Sequence, residues 1–423
     1  MEDYRQLWSE LAMDLERHDR LMAALPAVYR EVFLTQPDRP AAMHYFNLVI
    51  AEIHGLRIAE LAAHREKGGK VFGTFCVYVP VEIIRAAGGI AVGLCSGSQF
   101  WVPEGEKVLP RALCPLIKAA LGARLSRTCP YFQSCDIVVG ETTCDGKKKA
   151  WEVLNEYHHV YVMELPQMKG NRDLEFWVEE VDLFRQKVEE ITGNQVTPER
   201  LAEEINRQNR LRRALQRLYA LRTADPPPIS GKDALLVTQI AFYDDPDRFT
   251  AHTERLVTEL EERVNGSRGV VPPGTPRLLV TGTPMAIPNW KLHHLVETAG
   301  AVGGGEETCT GTRFFASEVE EGAGSLKGQI RALARAYFKT NCACFTPNSR
   351  RIEDILDLVE RTRADGVIYY NLQFCQGYAV EYHAVEKALK ARNIPVLWVE
   401  TDYSEEDTAQ LQLRIKAFLE MLG

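Results

Sequence analysis

Two stretches decide the fold of this chain: DIVVGETTCDGKKKA at residues 136–150 and DGVIYYNLQFCQGYA at residues 365–379. Each opens on Asp, continues as a β-branched and aromatic run, and reaches a cysteine just before a helical pattern. A short apolar run that hands over to a helix is the texture of a buried strand in a βαβ unit. The same corner, with a thiol on it, therefore occurs twice.

Working outward, the same texture fills two long segments. GGKVFGTFC is a Gly-bounded strand ending on Cys76, PVEIIRAAGG a helix with Pro at its start and Gly-Gly at its end, and IAVGLC a strand ending on Cys95. CPLIKAALG reads as a helix opening at Cys114, and HVYVMELP as a further strand. From residue 277 the order returns: RLLVTGTP, NWKLHHLVETAG, AVGGGEETC ending on Cys309, CFTPNSRRIEDILDLVERTRA, DGVIYYN and IPVLWVETD. Strands that alternate with helices predict parallel sheets. The two segments also match each other. GTFCVYVPVEIIRAAGGIAVGLC lines up with GTPMAIPNWKLHHLVETAGAVGGGEETC, Cys114 with Cys344, and Cys144 with Cys375. That all βα units look alike explains the shared Gly and Pro but not the shared cysteines.

The remaining segments read as helices. The expected organisation is an N-terminal helical segment (1–66), a first α/β lobe (67–168), a helical linker region (169–270) and a second α/β lobe (271–423). The fold class is α/β, with two flavodoxin-like (Rossmann-like) parallel-sheet lobes. The net charge of −8 over 423 residues excludes the basic face that a sequence-independent nucleic-acid binder needs. No apolar run is long enough to span a bilayer. The start, MEDYRQLWSELAMDL, is charged and helix-periodic rather than basic-then-apolar. The expectation is a cytoplasmic protein with no membrane partner.

In a reducing compartment ten cysteines are not expected to be structural disulfides. Ligands of open α/β sheets gather outside the carboxyl ends of the strands, where Cys76, Cys95, Cys144, Cys309 and Cys375 all fall. Lobes facing each other through those ends bring the thiols into one cleft. Helix N-termini lie there too, and their dipoles favour thiolates. Such a thiolate cluster suits iron–sulfur or soft-metal chemistry. Zinc ribbons and ferredoxins need tight C-x-x-C spacing, whereas the only close pair here is Cys342-Ala343-Cys344.

With those residues in view, the chain resembles the 2-hydroxyacyl-CoA dehydratase and benzoyl-CoA reductase superfamily. The matching stretches are CVYVPVEIIRAAGG, LCPLIKAALG, DIVVGETTCDGKKK, RIEDILDLVERTRADGVIYYNLQFC and IPVLWVETDYS. Within it, TCPYFQSCD, EETCTGTR and NCACFTPN resemble the double-cubane cluster proteins. The resemblance runs from about residue 70 onward. It implies a double-cubane [8Fe–9S] cluster, two [4Fe–4S] cubanes joined by a sulfide, held between the lobes of a homodimeric, oxygen-sensitive oxidoreductase of anaerobic metabolism. It further implies low-potential electrons from a separate dimeric ATPase with its own [4Fe–4S] cluster, so that ATP acts only through that partner and a small molecule is reduced. Three ligands per cubane make six. By position these are Cys76, Cys129 and Cys144 from the first lobe, and Cys309, Cys344 and Cys375 from the second. Cys114 is the next candidate, and Cys342 can exchange with Cys344. Cys135 reads as a core thiol, and Cys95 reads both ways. Two alternatives stay open: a dehydratase subunit with a single [4Fe–4S] cluster, about three essential cysteines and a CoA channel, or a non-enzymatic protein that carries or stores a cluster.

Other motifs weigh less. There is no P-loop. The glycines at 303–305 read as a turn. Lys147, Lys148 and Lys149 read as a solvated face or as charge balance for an anionic cluster. His158-His159 and His293-His294 have no metal-type spacing. Reduction needs a proton donor, for which Glu141, Glu82 and Tyr78 are the candidates nearest the predicted cleft.

Overall fold

The computed structural model describes residues 4–422. Its framework is two four-stranded sheets. The first contains β1 (Val71–Thr74), β2 (Ile90–Gly93), β3 (Ile137–Glu141) and β4 (Val160–Met163) in the order β2-β1-β3-β4. The second contains β5 (Arg277–Gly282), β6 (Val302–Glu307), β7 (Gly366–Leu372) and β8 (Val396–Thr401) in the order β6-β5-β7-β8. Every pairing is parallel. The self-similarity of the sequence is thus a repeat of topology, and both lobes have the flavodoxin-like arrangement with its switch point beside the first strand.

The strands behave as parallel strands must, buried on both faces. β1, β3, β5, β6 and β7 are buried along their whole length. Alternate residues feed two apolar layers. Val71, Val138, Leu278, Val280, Ile368 and Tyr370 face one layer, and Phe72, Ile137, Val139, Leu279, Val367 and Tyr369 the other. Both layers run through both lobes, so the lobes share their cores. The N-terminal helices Leu15–Tyr29 and Met43–Ala51 join the first layer, where Phe33 packs edge-on against Trp290 with ring centroids 4.9 Å apart.

Gly303, Gly304 and Gly305 are a correction to the reading of a turn. They lie inside β6, opposite a register shift between Leu278 and Leu279. A Cβ on Gly231 would come within 2.6 Å of the Gly303 Cα, so the helix Gly231–Ile240 reaches the strand only because both positions lack side chains.

Helices of the middle region pack on both lobes, and two buried carboxylates show how. Glu82, in the helix Val81–Ala86 of the first lobe, accepts from Arg212 at 2.9 Å and from the Tyr337 hydroxyl at 2.7 Å. Arg212 belongs to the long helix Pro198–Leu221 and Tyr337 to the helix Leu326–Phe338 of the second lobe. Glu306, in β6, is met by Arg222 through both oxygens (2.7 and 2.8 Å), by the Tyr219 hydroxyl at 2.5 Å and by His293 at 3.0 Å. One helix and its C-cap therefore hold both lobes. Among the described residues no helix is long and apolar enough to cross a membrane.

Burial alone would raise the Glu306 carboxyl, but Arg222 and His293 outweigh it and hold it well below the usual carboxylate range. A depressed carboxylate contributes stability above its unfolded value, about 4.3, and loses it as pH falls towards the folded value. Glu306→Gln is expected to lower unfolding free energy by about 3–5 kcal/mol, because it leaves the Arg222 charge buried without its counter-charge. Urea unfolding at pH 7 checks this, and the gap to wild type should narrow at pH values below about 4.

Candidate functional site

The carboxyl ends of β1, β2 and β3 face those of β5, β6 and β7 across a cavity of about 460 Å³. Eight cysteines line it: Cys76, Cys95, Cys114 and Cys144 from the first lobe, and Cys309, Cys342, Cys344 and Cys375 from the second. The rest of the lining is mainly apolar, including Leu113, Ile117, Trp151 and Phe242.

Local structure explains how each thiol arrives there. Cys114, Cys144 and Cys375 are the N-cap residues of the helices Pro115–Leu125, Asp145–Leu154 and Gln376–Lys390. Each side chain sits where unpaired backbone N–H groups converge. Lys147 N–H donates to the Cys144 sulfur at 3.4 Å. Cys76 and Cys309 follow the ends of β1 and β6. At the end of β5 the chain needs a glycine: Gly282 has φ 135°, and a Cβ there would lie 1.9 Å from the Tyr370 carbonyl oxygen. Phe374 takes φ 62°, left-handed for an aromatic residue, and so turns Cys375 onto its helix.

The thiols fall into pairs. Cys76 and Cys309 couple across the lobes; that coupling, with help from Arg313, lowers Cys309 from the usual thiol range and raises Cys76. Cys114 and Cys375 form a second inter-lobe pair, with Cys114 lowered by the bond from Cys375 and by the N–H groups of Leu116 and Ile117. Cys342 and Cys344 form the third, with Cys342 lowered by Cys344, Arg313 and Tyr378. Charge is felt across the cavity as well: Cys144 senses Cys114 and Cys342, and Cys95 senses Cys309 and Cys114. Two groups result, Cys76, Cys309, Cys342 and Cys344 on one side, and Cys114, Cys144 and Cys375 on the other.

Buried cations face this negative charge. Arg313 donates to the Cys309 sulfur at 3.8 Å and to the Tyr378 hydroxyl, which itself lies 3.4 Å from the Cys342 sulfur. It also donates to the Gly282 carbonyl at 3.1 Å and to Glu307 at 2.5 Å, which Arg351 also meets at 3.0 Å. Lys147 pairs with Glu141 at 2.9 Å. Burial works against its charge, but Glu141 and the thiols of Cys76 and Cys95 raise its pKa nonetheless. Neither Arg313 nor Tyr378 is legible as a site residue from sequence, apart from the position of Arg313 four residues after Cys309.

The remaining candidates separate clearly. Cys129 does not line this cavity; it caps the short helix Pro130–Ser134 and borders a different one, its thiol pushed up to about 11 by burial. Cys114 stands in the cavity where the expected set of six has Cys129. Cys342 and Cys344 both line it. The Cys95 thiol donates to the Phe75 carbonyl at 2.6 Å, and burial pushes it up to about 12. Cys135 donates to the Tyr131 carbonyl at 3.1 Å within the core. Glu141 carries Lys147, whereas Glu82 points away to Arg212 and Tyr337. Tyr78 donates to the Thr340 carbonyl at 3.2 Å beside the thiols, and burial keeps it protonated. Of the three lysines only Lys147 is largely withdrawn from solvent, with 13% of its side chain exposed; Lys148 and Lys149 are exposed. His293 serves Glu306.

The donor set fits a polynuclear cluster better than a single ion. Among the described residues no three Cys, His, Asp or Glu side chains converge on one ion. A zinc site needs four donors within about 2.0–2.3 Å of the metal. A cluster of several irons accepts thiolates dispersed around it, as they are around this cavity.

The chain is similar to known proteins. Residues 76–422 match the protein family described as 2-hydroxyglutaryl-CoA dehydratase, D-component. The chain is 38% identical to the “Putative dehydratase subunit YjiM” of Escherichia coli over 85% of its own length and 93% of that protein. It is 24% identical to the β subunit of (R)-2-hydroxyglutaryl-CoA dehydratase of Acidaminococcus fermentans, over 86% and 95% of the two chains. It is 21% identical to one of the subunits of benzoyl-CoA reductase from Thauera aromatica, over 82% and 89%.

The burial pattern sets an order of thiol reactivity. In protein stripped of metal by chelator under reducing conditions, iodoacetamide is expected to modify the exposed Cys144 first. Cys135, a buried donor to a backbone carbonyl, should react only on unfolding, and the half-buried Cys95, whose thiol donates to the Phe75 carbonyl, later than Cys144. Peptide mass spectrometry over time reads this order, and equal rates at all three would contradict the geometry.

Proposed function

The chain belongs to the 2-hydroxyglutaryl-CoA dehydratase D-component family, and from that premise we propose that it is an iron–sulfur reductase component holding a double-cubane [8Fe–9S] cluster. It works as a homodimer, takes low-potential electrons from an ATP-hydrolysing [4Fe–4S] partner, and reduces a small molecule. The observation that carries this reading is the presence of eight thiols from both lobes in one apolar cavity, seven of them in two groups. Cys76, Cys309 and one of Cys342 and Cys344 would hold one cubane, and Cys114, Cys144 and Cys375 the other. Three ligands for each of two cubanes is more than a single [4Fe–4S] cluster needs. Family members named as dehydratase and as reductase subunits are compatible with enzymatic use of such a cluster.

When bound, the cluster supplies one-electron chemistry at low potential. The chain supplies what makes that tenable in a low-dielectric site. Arg313 and Lys147 bring fixed positive charge to the thiolates, and the helix N-termini at Cys114, Cys144 and Cys375 add oriented N–H groups. Hydrogen bonds to sulfur from Arg313, Tyr378 and Lys147 N–H shift a cluster's potential upward by stabilising its reduced, more negative form. Leu113, Ile117 and Trp151 limit water. Tyr78 and Lys147 are the protonated groups beside the thiols.

A second reading, a dehydratase subunit with one [4Fe–4S] cluster, is favoured by the name of the Escherichia coli relative. Iron and acid-labile sulfide in anaerobically purified protein, with EPR of the reduced form, separate the two. The double cubane predicts about eight irons and nine sulfides per chain, and the single cluster about four of each. Cys114→Ala should lose at least about half of the iron, while Cys129→Ala should retain it. Iron loss in the second variant alone would overturn the ligand set. Substrate turnover that needs both ATP and the partner distinguishes an enzyme from a cluster carrier.

A further inference from the structure

A second cavity, about 760 Å³, lies behind the first. Gly93, Cys95, Tyr243 and Ile287 line both and form the wall between them. The second chamber is lined by the loop after β2, by segments following β5 and β8, and by the helix Leu15–Tyr29. Its surface is largely apolar, with Phe100, Trp101, Tyr131 and Trp290 supplying aromatic faces.

Charge inside it is spoken for. The Lys291 ammonium is committed to Asp407 at 2.7 Å and to the Ser404 carbonyl at 2.6 Å. Arg20 lies exposed and pairs with Glu16 at 3.2 Å. Burial lowers His54 to about 3 and also lowers His294, so neither carries charge at neutral pH. The other ionic groups on the lining, Glu31 and Glu405, are exposed acids. Among the described residues of the lining no free cation is left to receive a carboxylate or a phosphate, and a desolvated anion there would be costly.

Two polar atoms of the lining are left over, the Nδ1 of His294 and the hydroxyl of Tyr403. Tyr403 lines the chamber, is 7% exposed, and its hydroxyl has no hydrogen-bond partner. Buried hydroxyls are almost always satisfied, so an orphan on a residue that lines a cavity asks for a ligand atom. Burial keeps it protonated and hence a donor, and it stands near enough to Cys95, Cys114 and Cys375 to sense their charge.

We propose that this second chamber is a binding site for an uncharged, mainly apolar molecule with one hydrogen-bond acceptor, which takes the O–H of Tyr403. Its position behind Cys95 puts the ligand next to the thiol cavity without occupying it. The inference does not depend on which cluster that cavity holds.

Equilibrium dialysis of the anaerobically purified protein against acetophenone and cyclohexanone tests it, with benzoate and coenzyme A as charged comparators. Saturable binding of a ketone, one per chain, and none of the comparators is expected. Tyr403→Phe should weaken ketone binding about five- to tenfold, the worth of one neutral hydrogen bond. Leu25→Trp, which fills the chamber, should abolish it. Unfolding midpoint and iron content, unchanged in both variants, exclude misfolding as the cause. Absence of saturable ketone binding, equal binding of benzoate or coenzyme A, or wild-type affinity in either folded variant would overturn the proposal.

Discussion

Everything at the centre of this molecule depends on two carboxylates that are not in the site. Glu82 and Glu306 are fully buried, one in each lobe, and both are neutralised from the same long helix and its C-cap by Arg212 and Arg222. A buried carboxylate left unpaired costs several kcal/mol, so neither lobe can swing away from the helix cheaply. Tyr337 adds a direct tie from the second lobe to Glu82. The opposition of the two sheets, and with it the meeting of thiols across the gap, is therefore an electrostatic consequence of desolvated pairs as much as of apolar packing.

The same logic operates inside the cavity with the signs reversed. Thiols there cannot all ionise, because like charges in an apolar space repel strongly. Pairing resolves the conflict: Cys309, Cys114 and Cys342 are lowered from the usual thiol range, and their partners Cys76, Cys375 and Cys344 are raised above it. Arg313 stands beside two of those three, supported from behind by Glu307 and Arg351. This is a site prepared for net negative charge and shielded from water, the setting in which thiolate-bound clusters are stabilised.

Much of this is legible in the sequence, and the limits have physical causes. Strand alternation, the Gly and Pro punctuation and the repeated cysteine corner suffice for both sheets, because strands buried on two faces read as apolar runs. Cys114 and Cys129 cannot be told apart by pattern, since each is a Cys-Pro helix start. What separates them is the helix Pro115–Leu125, eleven residues or about 16 Å, which carries the chain away from the cavity. Gly303–Gly305 read as a turn because three glycines weaken a strand; their use, a bulge and a close helix contact, is tertiary. Arg313, Tyr378, Arg212 and Tyr403 gain meaning only from neighbours distant in sequence.

The identical strand order of the two sheets has an implication for descent. A chain that repeats one topology under one strand-end thiol plan has the form of a duplicated ancestor whose copies have been fused. Either half alone would expose its row of strand-end thiols to solvent; facing a sibling, the same row becomes an interior. Fusion also freed the halves to diverge. Cys76 corresponds to Met285, Cys95 turned to a backbone carbonyl, and its counterpart Cys309 acquired Arg313. An arrangement that two equal halves could build only symmetrically is here one whose two sides differ residue by residue.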